Sequence, residues 1–181
     1  MSLVLLLGGA RSGKSALAVA LAQASRLPVS FLATAEARDE EMSARIARHR
    51  AGRPTEWTTI EEPLELAGAI DAVGADSCLV LDCLSLWVAN MLERGADEGL
   101  IEEQARQAAA RAAARSPLGV AVSNEVGLGI VPVTELGRRY RDVLGRVNTV
   151  WAEAASRSAL VVAGRVLHLE SADSWLGRLD G

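Results

Sequence analysis

The sequence predicts a single α/β domain, with a mostly parallel sheet and helices on both of its faces. Three observations point there. Short, wholly apolar runs recur along the 181 residues, as strands covered on both faces require. Stretches with helical spacing separate them, and that alternation is the pattern of parallel βαβ units. The first apolar run leads directly into a glycine-rich turn and a helix start, the setting of a phosphate-binding loop.

The elements follow in order. Leu3-Val4-Leu5-Leu6-Leu7 reads as a buried first strand. Alanine and leucine from 14 to 25 favour a helix. A strand is expected near 29–34 and a helix over 36–50. That helix has Asp39, Glu40 and Glu41 in its first half and Arg48, His49 and Arg50 at its end, a charge order that complements the helix dipole. A helix near 63–72 precedes a strand near 77–82. Helices follow near 85–94 and 97–115. The second contains the alanine- and arginine-rich run 104–115, an exposed helix without assigned chemistry. A strand near 118–123, a helix over 134–156, a strand near 158–163 and a short sixth strand near 165–169 complete the unit. It spans 1–169. The tail, 170–181, has no clear periodicity and is expected to be partly disordered.

Composition excludes several functions. Half of the residues are hydrophobic and 23% are charged, as in soluble globular proteins. A net charge of −4 leaves no electrostatic footprint for nucleic acid. The six aromatics, Phe31, Trp57, Trp87, Tyr140, Trp151 and Trp175, do not alternate with basic residues, so no base-stacking platform is expected. No apolar stretch has the length of a membrane span, and the N-terminus lacks the marks of a signal peptide. Cys78 and Cys83 have neither metal-ligand spacing nor a disulfide framework. They read as core thiols in a reducing cytosol, and the expected location is cytoplasmic.

Lys14 is the one lysine in a chain with 19 Lys+Arg. It sits in Gly8-Gly9-Ala10-Arg11-Ser12-Gly13-Lys14-Ser15, which fits G-x-x-x-x-G-K-[ST] and makes the fold P-loop NTPase-like. An ammonium is a compact charge on a flexible stem, and a guanidinium does not replace it. Backbone N–H groups and the helix dipole would face the phosphates. Lys14 would reach the β- and γ-phosphates, and the Ser15 hydroxyl would hold Mg²⁺.

Ligands of such sheets bind outside the carboxyl ends of the strands. Those ends are Gly8 onward, Ala33-Thr34-Ala35, Asp82 and Asn124-Glu125. Asp82 has the position of an acid that holds Mg²⁺, and equally that of a helix cap. His49 follows Met42 and Ile46 at helical spacing. It reads either as a satisfied inward-facing histidine or as a catalytic one. The arginines around it suit phosphates. Asn124-Glu125, followed by Gly127 and Gly129, is either a site loop or a tight connection to the next helix. Tyr140, Arg141, Asp142, Arg146 and Asn148 lie on that helix and are candidates to face the same cleft. His168 reads as structural.

These clusters together resemble one family. They are the P-loop, Ala33-Thr34-Ala35, Arg45-Ile46 with His49, Gly52-Arg53-Pro54, Trp57, Glu61, Leu81-Asp82-Cys83, the run Asn124-Glu125-Val126-Gly127-Leu128-Gly129-Ile130-Val131-Pro132, and Gly145-Arg146-Val147-Asn148. The chain resembles, over about residues 3–169, the bifunctional adenosylcobinamide kinases/adenosylcobinamide-phosphate guanylyltransferases of cobalamin biosynthesis. The resemblance implies phosphorylation of adenosylcobinamide by ATP or GTP, then transfer of GMP from GTP to adenosylcobinamide phosphate. It implies that His49 carries GMP covalently and that Mg²⁺ assists. It implies that Ala33, Thr34, Ala35, Arg50, Ala51, Gly52, Arg53, Glu61 and Asp82 line the guanine nucleotide site. It implies a homotrimer. Asn124 and Glu125, at a strand end beside the P-loop, are the candidate corrinoid contacts. The competing readings are a single-activity P-loop kinase and a GTP-dependent switch. The one lysine leaves none for an N-K-x-D guanine-reading motif.

Overall fold

The computed structural model describes residues 3–178. In chain order the elements are β1 (Leu3–Leu7), α1 (Lys14–Ser25), β2 (Val29–Ala33), α2 (Glu40–Ala51), β3 (Thr58–Glu61), α3 (Leu66–Asp71) and β4 (Cys78–Asp82). Then come α4 (Leu84–Glu93), α5 (Glu98–Ala114), β5 (Gly119–Val122), α6 (Glu135–Ala154), β6 (Arg157–Val162), β7 (Arg165–Leu169) and α7 (Ala172–Gly177). The strands form one sheet in the order β3-β2-β4-β5-β1-β6-β7. All neighbours run parallel except β6 and β7, which form an antiparallel hairpin.

Strand alternation divides the core between the faces. Leu3, Leu5, Leu7, Leu79 and Leu81 point to one face and pack with Trp87, Ile101, Leu144 and Trp151 from α4, α5 and α6. Leu6, Cys78, Val80, Val120 and Val122 point to the other and pack against Ala18 and Ala22 of α1. Alanine on α1 lets that helix lie close to the sheet. Each fully buried leucine contributes about 1.5–3 kcal/mol by leaving water.

Three features depart from the sequence expectation. The edge strand β3 was not anticipated: Thr58-Thr59-Ile60-Glu61 carries no apolar run, and none of its residues is buried. α2 begins at Glu40 rather than 36, because the Asp39 side chain accepts from Met42 N–H at 2.6 Å and caps the helix there. Residues 36–38 are therefore linker. The tail carries α7, where partial disorder was expected; Ser171 caps it, with no residue buried. Residues 179–181 of that tail lie outside the described residues.

α2 packs unlike the long helices around it. Among its described side chains none is buried, and Met42 and Ile46 are only half-buried. The stripe Met42, Ile46, His49 does not face a packed core.

Candidate active site

Strand register aligns the site. Ala33 pairs with Glu61 on one side and Asp82 on the other, and Asp82 pairs with Val122. The expected residues Ala33, Glu61 and Asp82 therefore stand in one row along the carboxyl edge of the sheet. The P-loop follows β1 at the same edge.

The hairpin of β6 and β7 braces the P-loop from behind. Gly164 N–H donates to Ser12 O at 2.8 Å. Gly8 has φ +154°, and a Cβ there would lie 2.3 Å from the Val161 carbonyl oxygen. Gly13, the residue before α1, has φ +102°, a conformation glycine adopts freely. Arg11 also has positive φ, at 56°. Lys14 opens α1 and is only 7% exposed. Its ammonium folds back over the loop and donates to Gly9 O at 2.8 Å.

A cleft of about 300 Å³ opens beside the loop, lined by Ser15, Phe31, Arg48, His49, Arg53 and Asp82 among others. The His49 Nδ1 lies 3.7 Å from Asp82 Oδ2. Asp82 is recessed, with 12% of its side chain exposed, against 42% for His49. The Arg53 guanidinium sits 3.4 Å over the Phe31 ring, and Phe31 stacks on Trp57 at 6.5 Å. Burial pulls the Arg53 pKa down from its ordinary value, opposed by the Asp82 charge. Gly52 lines the same cleft.

Other expected residues are placed differently. The Arg50 side chain pairs with Glu61 at 2.6 Å. Thr34 is fully buried. Its hydroxyl accepts from Cys83 N–H at 2.9 Å and donates to Cys83 O at 2.7 Å, which fixes the chain just after Asp82. Cys83 begins the turn into α4, and its thiol meets the Ser85 hydroxyl at 3.0 Å. Desolvation first, then the Asp82 charge, push the thiol up to about 11.

The loop after β5 is tied in from both sides. Glu125 N–H donates to Gly8 O at 3.0 Å, so the loop does lie beside the P-loop. The Asn124 amide donates to Ser85 Oγ at 3.0 Å. Asn148, buried on α6, donates to Asn124 O and accepts from Ser123 Oγ. Tyr140 donates to Ser85 O, and burial raises its pKa to about 12. Arg146, expected toward the cleft, instead pairs with Glu98 and Glu102 on α5. Arg141 pairs with its neighbour Asp142. His168 is an exposed residue of β7. Sequence reasoning missed the Phe31–Arg53 stack and the Thr34–Cys83 bonds, since neither follows from local spacing.

Among the described residues no group of three or more His, Cys, Asp or Glu forms a metal cage. Ser15 and Asp82 nonetheless share the cleft. A hydroxyl and one carboxylate, completed by phosphate oxygens and water, is the oxygen donor set that suits Mg²⁺.

The fold and this site are those of an α/β protein with a P-loop motif at the carboxyl edge of its sheet and a histidine lining the cleft beside it. The pattern of the family "Cobinamide kinase / cobinamide phosphate guanyltransferase" matches residues 4–169. The chain belongs to that family, and its activities are cobinamide kinase and cobinamide phosphate guanylyltransferase, in cobalamin biosynthesis. It is 46% identical over 173 residues to the bifunctional adenosylcobalamin biosynthesis protein CobP of Pseudomonas aeruginosa, covering 92% of this chain and 96% of that one. It is 41% identical over 175 residues to the corresponding CobU protein of Escherichia coli, covering 90% and 96%. Among solved structures, a Pyrococcus horikoshii OT3 protein, Project ID PH0250, superposes with a TM-score of 0.55 at 8% identity, over 94% of this chain and 87% of that one. That likeness concerns the fold alone.

Proposed function

We propose that guanylyl transfer runs through a covalent GMP on His49, in the same cleft that serves the kinase step. The observation that carries this reading is that His49, Asp82 and Ser15 line one cleft of about 300 Å³, with His49 Nδ1 3.7 Å from Asp82 Oδ2. In the kinase step, the aminopropanol hydroxyl of adenosylcobinamide attacks the γ-phosphorus of ATP or GTP and the nucleoside diphosphate leaves. Lys14 and the P-loop amides hold the phosphates, so catalysis is positioning and charge stabilisation. Ser15 and Asp82 would hold Mg²⁺, which when bound neutralises phosphate charge.

In the transfer step, the Nε2 lone pair of His49 attacks the α-phosphorus of GTP. A P–N bond forms, the bond from the α-phosphorus to the bridging oxygen breaks, and pyrophosphate leaves. A phosphate oxygen of adenosylcobinamide phosphate then attacks the same phosphorus. The P–N bond breaks, and adenosyl-GDP-cobinamide departs. Splitting one transfer into two is the usual gain from a covalent nucleophile. Asp82 beside Nδ1 favours the tautomer with the proton on that nitrogen, leaving Nε2 free. Arg48 and Arg53 supply positive charge for the triphosphate.

In this reading Ala33, Thr34 and Ala35 support the nucleotide site from the end of β2, where Thr34 holds the backbone at Cys83, and Glu61 holds Arg50. Asn124 and Glu125, in the loop bonded to the P-loop at Gly8, are the corrinoid contacts of this reading. The hydrophobic stretch beyond them supports self-association: Leu128 is 81% exposed, Ile130 97% and Val133 94%, and the homotrimer of this reading would cover it. No helix among the described residues is long and apolar enough to cross a membrane, and with two free cysteines a cytoplasmic location is the reading we adopt.

The test is intact mass after incubation with Mg²⁺ and GTP. Wild type should gain one GMP moiety, and His49→Ala should not. A wild type that binds GTP and gains no mass would leave His49 without a covalent role.

A further inference from the structure

The root of α2 is pinned where its body is not. The helix that carries His49 buries none of its described side chains, so its placement depends on what holds its two ends: Arg50 pairs with Glu61 and Arg53 lies over Phe31 at the His49 end, and the linker before Asp39 holds the other. The linker before Asp39 is held by an ionic cluster at the far end of α4. Arg38 donates to Asn90 Oδ1 at 2.6 Å and to Glu36 Oε2 at 2.6 Å, and pairs with Glu93. Glu36 also pairs with Arg94 at 2.5 Å. Both arginines hold the Glu36 carboxyl below the ordinary carboxylate range.

Asn90 anchors the cluster to the sheet edge. It is only 3% exposed, and its amide donates to Thr34 O at 2.8 Å and Pro63 O at 3.1 Å. One buried side chain therefore joins the end of β2, the connection after β3 and the linker to α2. Exposed ion pairs taken singly contribute little. This set differs because Asn90 is fixed from two other sides, so Arg38 has a rigid partner.

We infer that Arg38, held by Asn90 and Glu93, is a positioning residue for guanylyl transfer that sets where α2 delivers His49. The inference rests on the reading of His49 as the GMP carrier. Misplacement of a reacting group by about 1 Å costs on the order of 100-fold in rate. Loosening the root of a helix acts on its other end, and His49 is ten residues on from Asp39. The P-loop, braced by β6 and β7, does not depend on this cluster.

The test compares two rates in the full chain: formation of the GMP adduct from Mg²⁺ and GTP, and ATP-dependent phosphorylation of adenosylcobinamide. Arg38→Met keeps the apolar stem and removes every donor. It should slow adduct formation about tenfold or more, with phosphorylation within about twofold of wild type and an unchanged melting temperature. Arg38→Lys should fall between the two. Should Arg38→Met fold poorly, Glu93→Gln, on an exposed side chain, provides the same comparison. Adduct formation at the wild-type rate in the variants, or equal loss of both rates, would overturn the inference. A wild type that forms no adduct would overturn the His49 reading itself, and this inference with it.

Discussion

His49 Nδ1 and Asp82 Oδ2 face each other at 3.7 Å, one from a helix that packs loosely and one from the end of a central strand. The strand partner is the rigid one. Asp82 pairs in register with Ala33 and Val122, and the residue after it is gripped through both backbone groups by Thr34. The histidine therefore meets a fixed, recessed charge in the cleft.

Asp82→Asn keeps the shape and removes the charge. The tautomer of His49 is then no longer biased by a carboxylate, and adduct formation from GTP should fall by about 10- to 100-fold, a modest share of general acid–base effects. The same change should raise the Mg²⁺ concentration needed for half-maximal phosphorylation. Adduct kinetics across a Mg²⁺ titration check both. Normal adduct formation at saturating Mg²⁺ would restrict Asp82 to the metal.

Gly8→Ala should fail where Gly9→Ala is tolerated. A Cβ at Gly8 would lie 2.3 Å from Val161 O, on a backbone with φ +154°, whereas one at Gly9 meets nothing within 4 Å. The clash is with backbone and cannot be relieved by a side-chain rotation. A cost of about 2 kcal/mol would lower the melting temperature by roughly 4–8 °C in a chain of this size. Thermal melts with and without GTP measure it, and loss of GTP protection in Gly8→Ala alone is the expected pattern.

Much of this fold was legible because buried parallel strands announce themselves. Runs such as Leu3–Leu7 and Cys78–Asp82 are apolar on both faces, and each ends at a polar or glycine residue that belongs to the site. β3 was illegible for the opposite reason: a short edge strand needs no apolar run, and Thr58–Glu61 is held by backbone pairing to β2. Within the candidate site, motif and position pointed to the P-loop, His49 and Asp82, and the structure brings Ser15, His49 and Asp82 to one cleft. The roles of Thr34 and Asn90 were not. Each acts through a contact about 50 residues away in sequence, and no local spacing encodes that.

Cys83 should resist alkylation at neutral pH despite lying beside the cleft. Its pKa is raised from 9.0 to about 11, chiefly by desolvation. At pH 8 only about one thiol in a thousand is then the reactive thiolate. The folded state prefers the thiol, so this contribution to stability is complete below pH 9 and is lost as pH rises through 11. Iodoacetamide labelling followed by peptide mass, at pH 8 and at pH 10, reads the result. Rapid labelling of Cys83 at pH 8 would contradict the desolvated thiol.

Removing residues 170–181 should leave both activities within about twofold. α7 buries no residue, and its ion pair between Glu170 and Arg178 closes within the tail itself. Surface segments of this kind change stability little. The truncated chain, assayed for phosphorylation and adduct formation, decides whether the tail belongs to the catalytic unit.

Lys14 offers a test that the composition makes clean. It is the only lysine, so amine-directed acetylation has two targets, the chain's α-amine and Lys14. Lys14 is 7% exposed, and its ammonium donates to Gly9 O. Phosphates entering the loop would draw it onto the β- and γ-oxygens and close off its remaining exposure. GTP with Mg²⁺ should therefore suppress acetylation of Lys14 while leaving the α-amine unchanged, an internal control in the same spectrum. Lys14→Arg keeps the charge but replaces a compact donor with a planar fork. It should lose phosphorylation of adenosylcobinamide by about 100-fold or more, in the range seen when a charge-stabilising donor is removed. Undiminished labelling of Lys14 at saturating GTP would place the triphosphate elsewhere than in this loop.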